Sequence, residues 1–454
     1  MVKIVFIGAG NIELTRRILS DLFSAPELAR RLRVVLDDVD AERLAVAEAV
    51  ASRLASETNS GNVVEVSSDR RQALDGASFV ICQFAAGGYQ AALRDFEIPH
   101  RYGLRQTIGD TIGIGGIFRG LRTIPVLVDI AQTMTEVCPQ AWCLSYADPM
   151  AMTTWAVRSA TSFRRLAGLC HAVRDTHAML AEAVGRDLSD VSFLTAGVNH
   201  QSFVLRFEAD GQSLYPDLDA RLAEDPHSAH NVRAELYRRF GYFPTESSEH
   251  AAEYVPWFMR HDDQLARFAI PPEEYLRRSG KKLHAYEGVR RALAAGRPML
   301  IQWQHLELAS EFITAMLTGR GREISMTVPN DGLINNLPAQ CCVEVPAWVD
   351  ADGVTPVAVP DYPPQLAALN RTFLNVVELT VLAALEGRRS HVYHAAMLDP
   401  NTAATLTLAA IHDLCDELIA AHGDLLPAGI GPHDDMIRAR NPASAGRQRT
   451  EGKA

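Results

Sequence analysis

Short apolar runs, each closed by a glycine or a polar turn, alternate with longer stretches of helical periodicity over the first 195 residues. Residues 2–8 (VKIVFIG) precede the helical pattern ELTRRILSDLF, and 33–37 (RVVLD) precede AERLAVAEAVASRLAS. NVVEVSS alternates as a half-buried strand does, and ASFVICQF, AWCLSY, RRLAGLC and VSFLTAG are four further strand candidates. Strands alternating with helices predict a Rossmann-like, doubly wound parallel sheet over residues 1–195. Beyond it the order loosens. FVLRFEADGQSLYPDL turns back at Asp210-Gly211 like a hairpin, 250–320 and 365–425 read as long helices, and 323–358 as a strand group. The expected architecture adds a mixed, mainly helical domain over 196–428, capping the sheet's C-terminal edge. From Gly429 to 454 the chain is polar and Arg-rich, the composition of a disordered tail.

Composition narrows the partners. Hydrophobic residues make up 47% and charged residues 22%, ordinary globular values. The net charge of −11 argues against nucleic acid or an anionic membrane, either of which calls for a basic face. No run approaches the roughly 20 apolar residues of a membrane span, and no signal-peptide apolar region follows MVK. Seven scattered cysteines, an odd number, read as reduced thiols, so a cytoplasmic location is expected.

Candidate chemistry gathers at strand ends, where open α/β sheets bind ligands. Gly8 and Gly10 sit on the first strand-to-helix turn with Asn11 behind them, placed to cradle a pyrophosphate at a helix N-terminus. Glu13 occupies the third glycine position of the dinucleotide fingerprint. Asp37 and Asp38 after the second strand offer a carboxylate to the ribose hydroxyls, which favours NAD over NADP. Cys170 and His200 close two further strands and could hold a divalent transition metal, with Asp148 as an added oxygen donor. Spacing alone does not choose between Cys170 and His171, and a core thiol with a hydrogen-bonded imidazole satisfies the same pattern. QTIGDTIGIGGIFRGLRTIP carries one acid, Asp110, in a glycine-dense turn; general acid or base and turn-capping residue are both open. In TESSEHAAEYVPWF, Glu246, Glu249 and Glu253 have the spacing of a solvated helix face. Tyr254 reads as a core tyrosine unless a cation lies beside it.

Together these blocks resemble glycoside hydrolase family 4, nearest its melibiase-type α-galactosidase branch. The matches are the GAG turn, GGYQ, QTIGDTIGIGGIFRGLRTIP, TEVCP, SYADPMAMTTWA, GLCHAV, AGVNH, GYFPTESSEHAAEYVPWF, NDGLINNLP with CCVEV, VYHAAMLDP and LIAAHGDLLP. The family is an NAD-dependent exception among glycosidases. The resemblance implies oxidation at C3 of the sugar, proton removal at C2, elimination, water addition and re-reduction, with NAD regenerated each turnover and a divalent metal, usually Mn²⁺. It makes Cys170 and His200 metal ligands, Tyr254 the C2 base and Asp110 the general acid, with Asp148, His171 and Ala172 at the substrate. It also suggests a homodimer or homotetramer.

Two residues break the pattern. Ala172 stands where the melibiase branch has serine in CHS, and Asp148 stands where the family has asparagine before proline. The residue after CH varies with the sugar, so an α-glucoside or a uronide remains an alternative to an α-galactoside. The CH pair itself points to an unphosphorylated substrate. Two other classes fit parts of the pattern: a plain NAD-linked dehydrogenase, since the fold is hydroxy-acid-dehydrogenase-like, and a catalytically silent sugar-binding regulator.

Overall fold

A computed structural model describes residues 1–225, 227–302 and 305–431. Of the expected disordered tail, residues 432–454 lie outside the described residues. The first half carries strands β1 (Val2–Ile7), β2 (Leu32–Asp37), β3 (Val63–Val66), β4 (Phe79–Cys82), β5 (Trp142–Ser145) and β6 (Leu166–Gly168). These pair in parallel in the order β3-β2-β1-β4-β5-β6, a doubly wound arrangement. All four residues of β4 are buried, as are the last four of β1. Continuous burial of this kind belongs to strands covered on both faces, and it explains why their sequences run apolar without alternation.

The second half contributes β7 (Ser192–Val198), β8 (Gln201–Ala209), β9 (Gln212–Ser213), β10 (Phe243–Pro244), β11 (Arg322–Pro329), β12 (Cys342–Asp350) and β13 (Gly353–Pro356). They continue the same sheet outward from β6 in the order β11-β12-β7-β8-β10, with every pair antiparallel. One expectation is corrected here. VSFLTAG forms β7 but does not extend the parallel run; the place beside β6 belongs to β11. β7 pairs instead with β12 and, through a link of only Asn199 and His200, with β8; two residues can close a hairpin but not a parallel crossover. The Asp210-Gly211 turn joins β8 to β9, with both residues at positive φ (51° and 74°).

Among the described residues the two helical regions are each broken into four α-helices. Ser248–Glu253, Asp262–Arg267, Glu274–Ala294 and Leu308–Thr318 are separated at Pro256, at Pro271 and Pro272, and at Pro298. Pro364–Glu386, Arg389–Leu398, Pro400–Thr405 and Leu408–His422 follow, the first capped by Gly387. Contrary to the expectation that no segment has the reach of a membrane span, Pro364–Glu386 is long and apolar enough to cross one. It is 56% buried over its most apolar window and packs on Gly113–Val137 and Met150–Ala160, as a core helix does.

Register decides how the site is assembled. Gly168, Thr327, Glu344, Gly197 and Ser202 align in one row across β6, β11, β12, β7 and β8. The chain reaches Cys170 two residues after that row and His200 three residues after it.

Candidate active site

The nucleotide turn is built on Gly8, whose φ of +84° lies in the left-handed region; a Cβ there would sit 2.9 Å from Cβ of Phe84. Gly8 and Ala9 donate their backbone N–H groups to the carbonyl of Asp37 (2.9 and 3.0 Å), folding the turn onto the end of β2. Asp37 and Asp38 are thereby separated. Asp37 is buried, and that burial pushes its carboxyl up to about 6. Asp38 accepts from the N–H of Gly10 (2.7 Å) and of Asp40 (2.9 Å), and it stands half-buried beside the turn. Asn11 precedes helix Ile12–Ser24 without capping it, so its exposed side chain stays at the mouth of the turn. At the end of β4 the buried Oε1 of Gln83 has no hydrogen-bond partner among the described residues. A left-handed glycine turn at a helix N-terminus, with an orphaned amide oxygen nearby, fits a dinucleotide.

Cys170 Sγ, the His200 imidazole and a Glu246 oxygen all lie within 4.8 Å of one another. Glu246 Oε1 is 3.8 Å from Sγ and 3.7 Å from His200 Nε2. Thr111 sets the ring: its hydroxyl donates to Asp110 Oδ1 (2.8 Å), so at 2.7 Å from His200 Nδ1 it accepts that nitrogen's proton. Nε2 is then left bare, facing thiol and carboxylate, and a soft sulfur, an imidazole and an oxygen make a donor set for a divalent transition metal. His200 and Glu246 both hold left-handed backbone (φ +69° and +68°), a cost that the surrounding packing sustains.

A charged chain runs beside this group. His250 Nδ1 lies 3.0 Å from Glu246 Oε2, and its Nε2 lies 3.6 Å from Asp110 Oδ1. Burial works against the imidazolium, but the carboxylates on either side hold His250 well above its ordinary value. Burial likewise opposes the charge on Asp110, yet His250, Arg119 and His200 keep it well below the carboxylate range. Tyr254 donates to Thr111 Oγ1 (3.1 Å); burial, with Asp110 and Glu246 close by, raises its phenol well above the ordinary value. Asp148 follows β5. Burial, and then Asp110, raise its carboxyl, against the pull of His200 and Arg119, and its buried Oδ1 has no hydrogen-bond partner among the described residues.

A family model described as "Family 4 glycosyl hydrolase" matches residues 3–186, and one described as that family's C-terminal domain matches 195–402. The chain belongs to family 4 of the glycosyl hydrolases. An α-galactosidase of Bacillus subtilis is 41% identical over 94% of this chain and 99% of that protein. An α-galactosidase of Rhizobium meliloti is 33% identical over 94% of this chain and 89% of its own. Among solved structures, a 6-phospho-α-glucosidase from gut microorganisms in complex with NAD and Mn²⁺ has a TM-score of 0.80 at 18% identity, covering 94% of this chain and 99% of that one. A malate dehydrogenase of Plasmodium falciparum shares the fold more distantly (TM-score 0.52, 12% identity, 85% of this chain and 99% of that one). Family membership sets aside the plain dehydrogenase reading.

Within this family 4 glycosyl hydrolase the geometry separates neighbours that spacing left level. His171 does not join the donor group: its Nε2 lies 2.5 Å from Glu307 Oε1, leaving Cys170 as the sulfur donor. Ala172 is buried as the first residue of helix Ala172–Ala183. The solvated-face expectation for the three glutamates is corrected. The helix begins only at Ser248, so Glu246 precedes it and helical spacing does not apply. Glu253 is buried and receives the backbone N–H groups of Thr107, Ile108 (3.0 Å) and Gly109 (3.0 Å), tying the acid-bearing turn to the helix before Tyr254. Burial pushes Glu253 up to about 7 against those donors. Glu249 alone keeps an outward partner, Arg278, at 3.5 Å. Sequence reasoning missed Glu246, His250, Thr111 and Glu253 as site residues. The one usable signal was a histidine inside a run of acids.

The glycine turn tolerates no added bulk at Gly116, where a Cβ would stand 2.5 Å from the Thr111 carbonyl carbon and 2.8 Å from its oxygen. Gly116→Ala is expected to displace the 109–111 backbone and to destabilise the protein by about 1–3 kcal/mol. A thermal melt and kcat check this together: both should fall while nucleotide affinity holds. Unchanged values would mean that the turn yields freely.

Proposed function

We propose that the protein hydrolyses an unphosphorylated α-galactoside, using NAD and a divalent cation such as Mn²⁺ held by Cys170, His200 and Glu246. The observation that carries this reading is the convergence of that donor set with Asp110 and Tyr254 through Thr111. The names of the α-galactosidase relatives support the sugar. NAD would supply reversible hydride transfer at the sugar's C3, and the cation would supply Lewis-acid polarisation of its oxygens.

The chain's own residues do the rest. Tyr254 takes the C2 proton. His250 Nε2 stands 3.6 Å from Asp110 Oδ1, so the pair supplies the proton that goes to the departing glycosidic oxygen. In the sugar-free protein that proton rests on His250, so Asp110 acts as an acid only through it. Asp148, whose buried Oδ1 has no partner among the described residues, accepts a sugar hydroxyl, and Ala172 leaves room without offering a donor. The same reading takes the protein as a cytoplasmic homodimer or homotetramer with all seven cysteines as free thiols.

A panel of nitrophenyl α- and β-glycosides with NAD, Mn²⁺ and a thiol reductant tests the assignment. Turnover in D₂O should leave deuterium at C2 of the released sugar. Stoichiometric build-up of NADH, with no aglycone released, would overturn the hydrolase mechanism. Asp148→Asn with Ala172→Ser should raise kcat/KM on an α-galactoside by about two- to tenfold, the worth of a hydrogen bond. A loss would direct the search to a glucoside or uronide.

A further inference from the structure

Helix Glu274–Ala294 is fastened at both ends and unsupported in the middle. At its start the backbone N–H groups of Glu273 and Tyr275 donate to the carbonyls of Gln106 (2.8 Å) and Thr107 (2.9 Å), in the acid-bearing turn. Arg119, which donates to the Asp148 carbonyl (3.3 Å), also donates to the Tyr275 hydroxyl (2.8 Å). Toward the other end the Arg43 guanidinium lies over the buried Tyr286 ring, 4.7 Å from its centroid. The same Arg43 donates to the carbonyl of Gly10 in the nucleotide turn (3.2 Å). Arg290 pairs with Glu42 (3.0 Å), and just beyond the helix Glu57 accepts the N–H groups of Met299 (2.9 Å) and Leu300 (2.8 Å). The helix touches Ile12–Ser24, Ala41–Glu57 and Gly88–Arg101, the helices that follow β1, β2 and β4. It thus runs across the ends of those strands, from the acid-bearing turn to the nucleotide turn.

Between the two fastenings every residue from Gly280 to Ala285 is exposed, more than a full turn. Tyr275, Ser279, Tyr286 and Leu293 share one face of the helix and are all buried or half-buried. Lys282 lies on that same face by spacing, yet it is exposed. The helix therefore stands clear of the protein there, with open space beneath it. Arg277, Arg278 and Arg290 each pair with a glutamate, whereas Lys281 and Lys282 have no ion-pair partner among the described residues. The chain holds four lysines against forty arginines, and two of the four stand side by side in this span. An arginine fork suits a fixed planar partner; a lysine is a mobile point charge suited to phosphate oxygens.

We propose that Lys281 and Lys282 are nucleotide-binding residues, contributed by the second half of the chain, that pair with the diphosphate of the dinucleotide. That group is anionic and must enter a protein with a net charge of −11, so a local basic span offsets the repulsion. This role depends on NAD as the cofactor and not on which sugar is cleaved.

Amine-reactive labelling of the full-length protein, with and without saturating NAD, tests it by peptide mass spectrometry. NAD should slow modification of Lys281 and Lys282 and leave Lys3, near the far end of β1, unchanged. In calorimetry without sugar, Lys281→Gln with Lys282→Gln should weaken NAD binding by about three- to thirtyfold, as for two exposed charge pairs. The deficit should shrink as salt is raised, and Lys281→Arg with Lys282→Arg should keep most of the affinity. Neither side chain has a partner to lose, so the glutamine variant should melt at the wild-type temperature. Unchanged NAD affinity in that variant, or equal labelling with and without NAD, would overturn the proposal. So would protection that follows protein concentration rather than NAD, which would make the span a contact between copies. Protected lysines in a protein that cleaves no galactoside would uphold this role and fault the substrate reading instead.

Discussion

Tyr254→Phe is expected to lower kcat on an α-galactoside by about 10²- to 10⁴-fold, the usual worth of a positioned general base. It should also remove solvent deuterium from C2 of whatever sugar is released. The substitution isolates the hydroxyl. The Tyr254 ring is buried and packs edge-on to Phe373 (5.4 Å between centroids, 82°), contacts that a phenylalanine ring preserves, so the fold and nucleotide affinity should persist. What is lost is the hydroxyl 3.1 Å from Thr111 Oγ1, in line with the hydrogen-bonded row that ends on Asp110 and His200. Burial together with Asp110, Glu246 and Glu253 hold that phenol well above its ordinary value. It becomes a base near neutrality only with positive charge brought into the site, which ties the step to the donor group a few ångströms away. Retention of more than a tenth of wild-type kcat, with deuterium still incorporated, would show that another group removes the proton.

The second large effect concerns that donor group. Glu246→Gln should weaken Mn²⁺ binding by about 10- to 100-fold, the range seen when a group in or next to a metal's ligand set is lost. Gln keeps the size but removes the charge that faces Cys170, His200 and His250. In the unsubstituted protein, metal affinity should also depend on pH, with a sign that follows from the thiol. Burial, and then Glu246 and Glu344, raise Cys170 well above the ordinary thiol value, so it is protonated at neutral pH in the absence of metal. Binding as thiolate must release that proton. Between about pH 6 and 8 each unit of acidification should therefore cost about tenfold in affinity. Calorimetry or Mn²⁺ resonance measures it, and an affinity flat across that range would remove Cys170 from the ligand set.

The residues that the sequence singled out and those it passed over differ in one respect. Gly8, Asp38, Asp148 and Cys170 each lie within three residues after a strand, and strand ends can be read from local apolar runs. Glu246, His250, Glu253 and Glu307 lie on no such landmark. Glu246 looked like one face of a helix because the helix start at Ser248 cannot be counted from spacing, and its left-handed backbone leaves no mark in composition. Glu253 and Glu307 are buried carboxylates whose partners lie more than 100 positions away along the chain. In isolation either reads as a surface acid. The β7–β8 hairpin shows the same limit: VSFLTAG has the pattern of a strand, but nothing within it says which neighbour it will take.

By itself the sequence determined the doubly wound half, the glycine turn, the thiol and imidazole at strand ends, and a family resemblance carried by ordered motifs. These are local: an apolar period, a turn residue or a motif lies within a few positions of itself. Only the tertiary structure decided that Cys170 rather than His171 faces His200. It also brought Glu246 within reach of that pair, set His250 between two carboxylates, and turned His171 toward Glu307. Each of those outcomes depends on burial and on charges brought close by distant segments. Desolvation and Coulomb interaction act through space, and one-dimensional spacing does not record them.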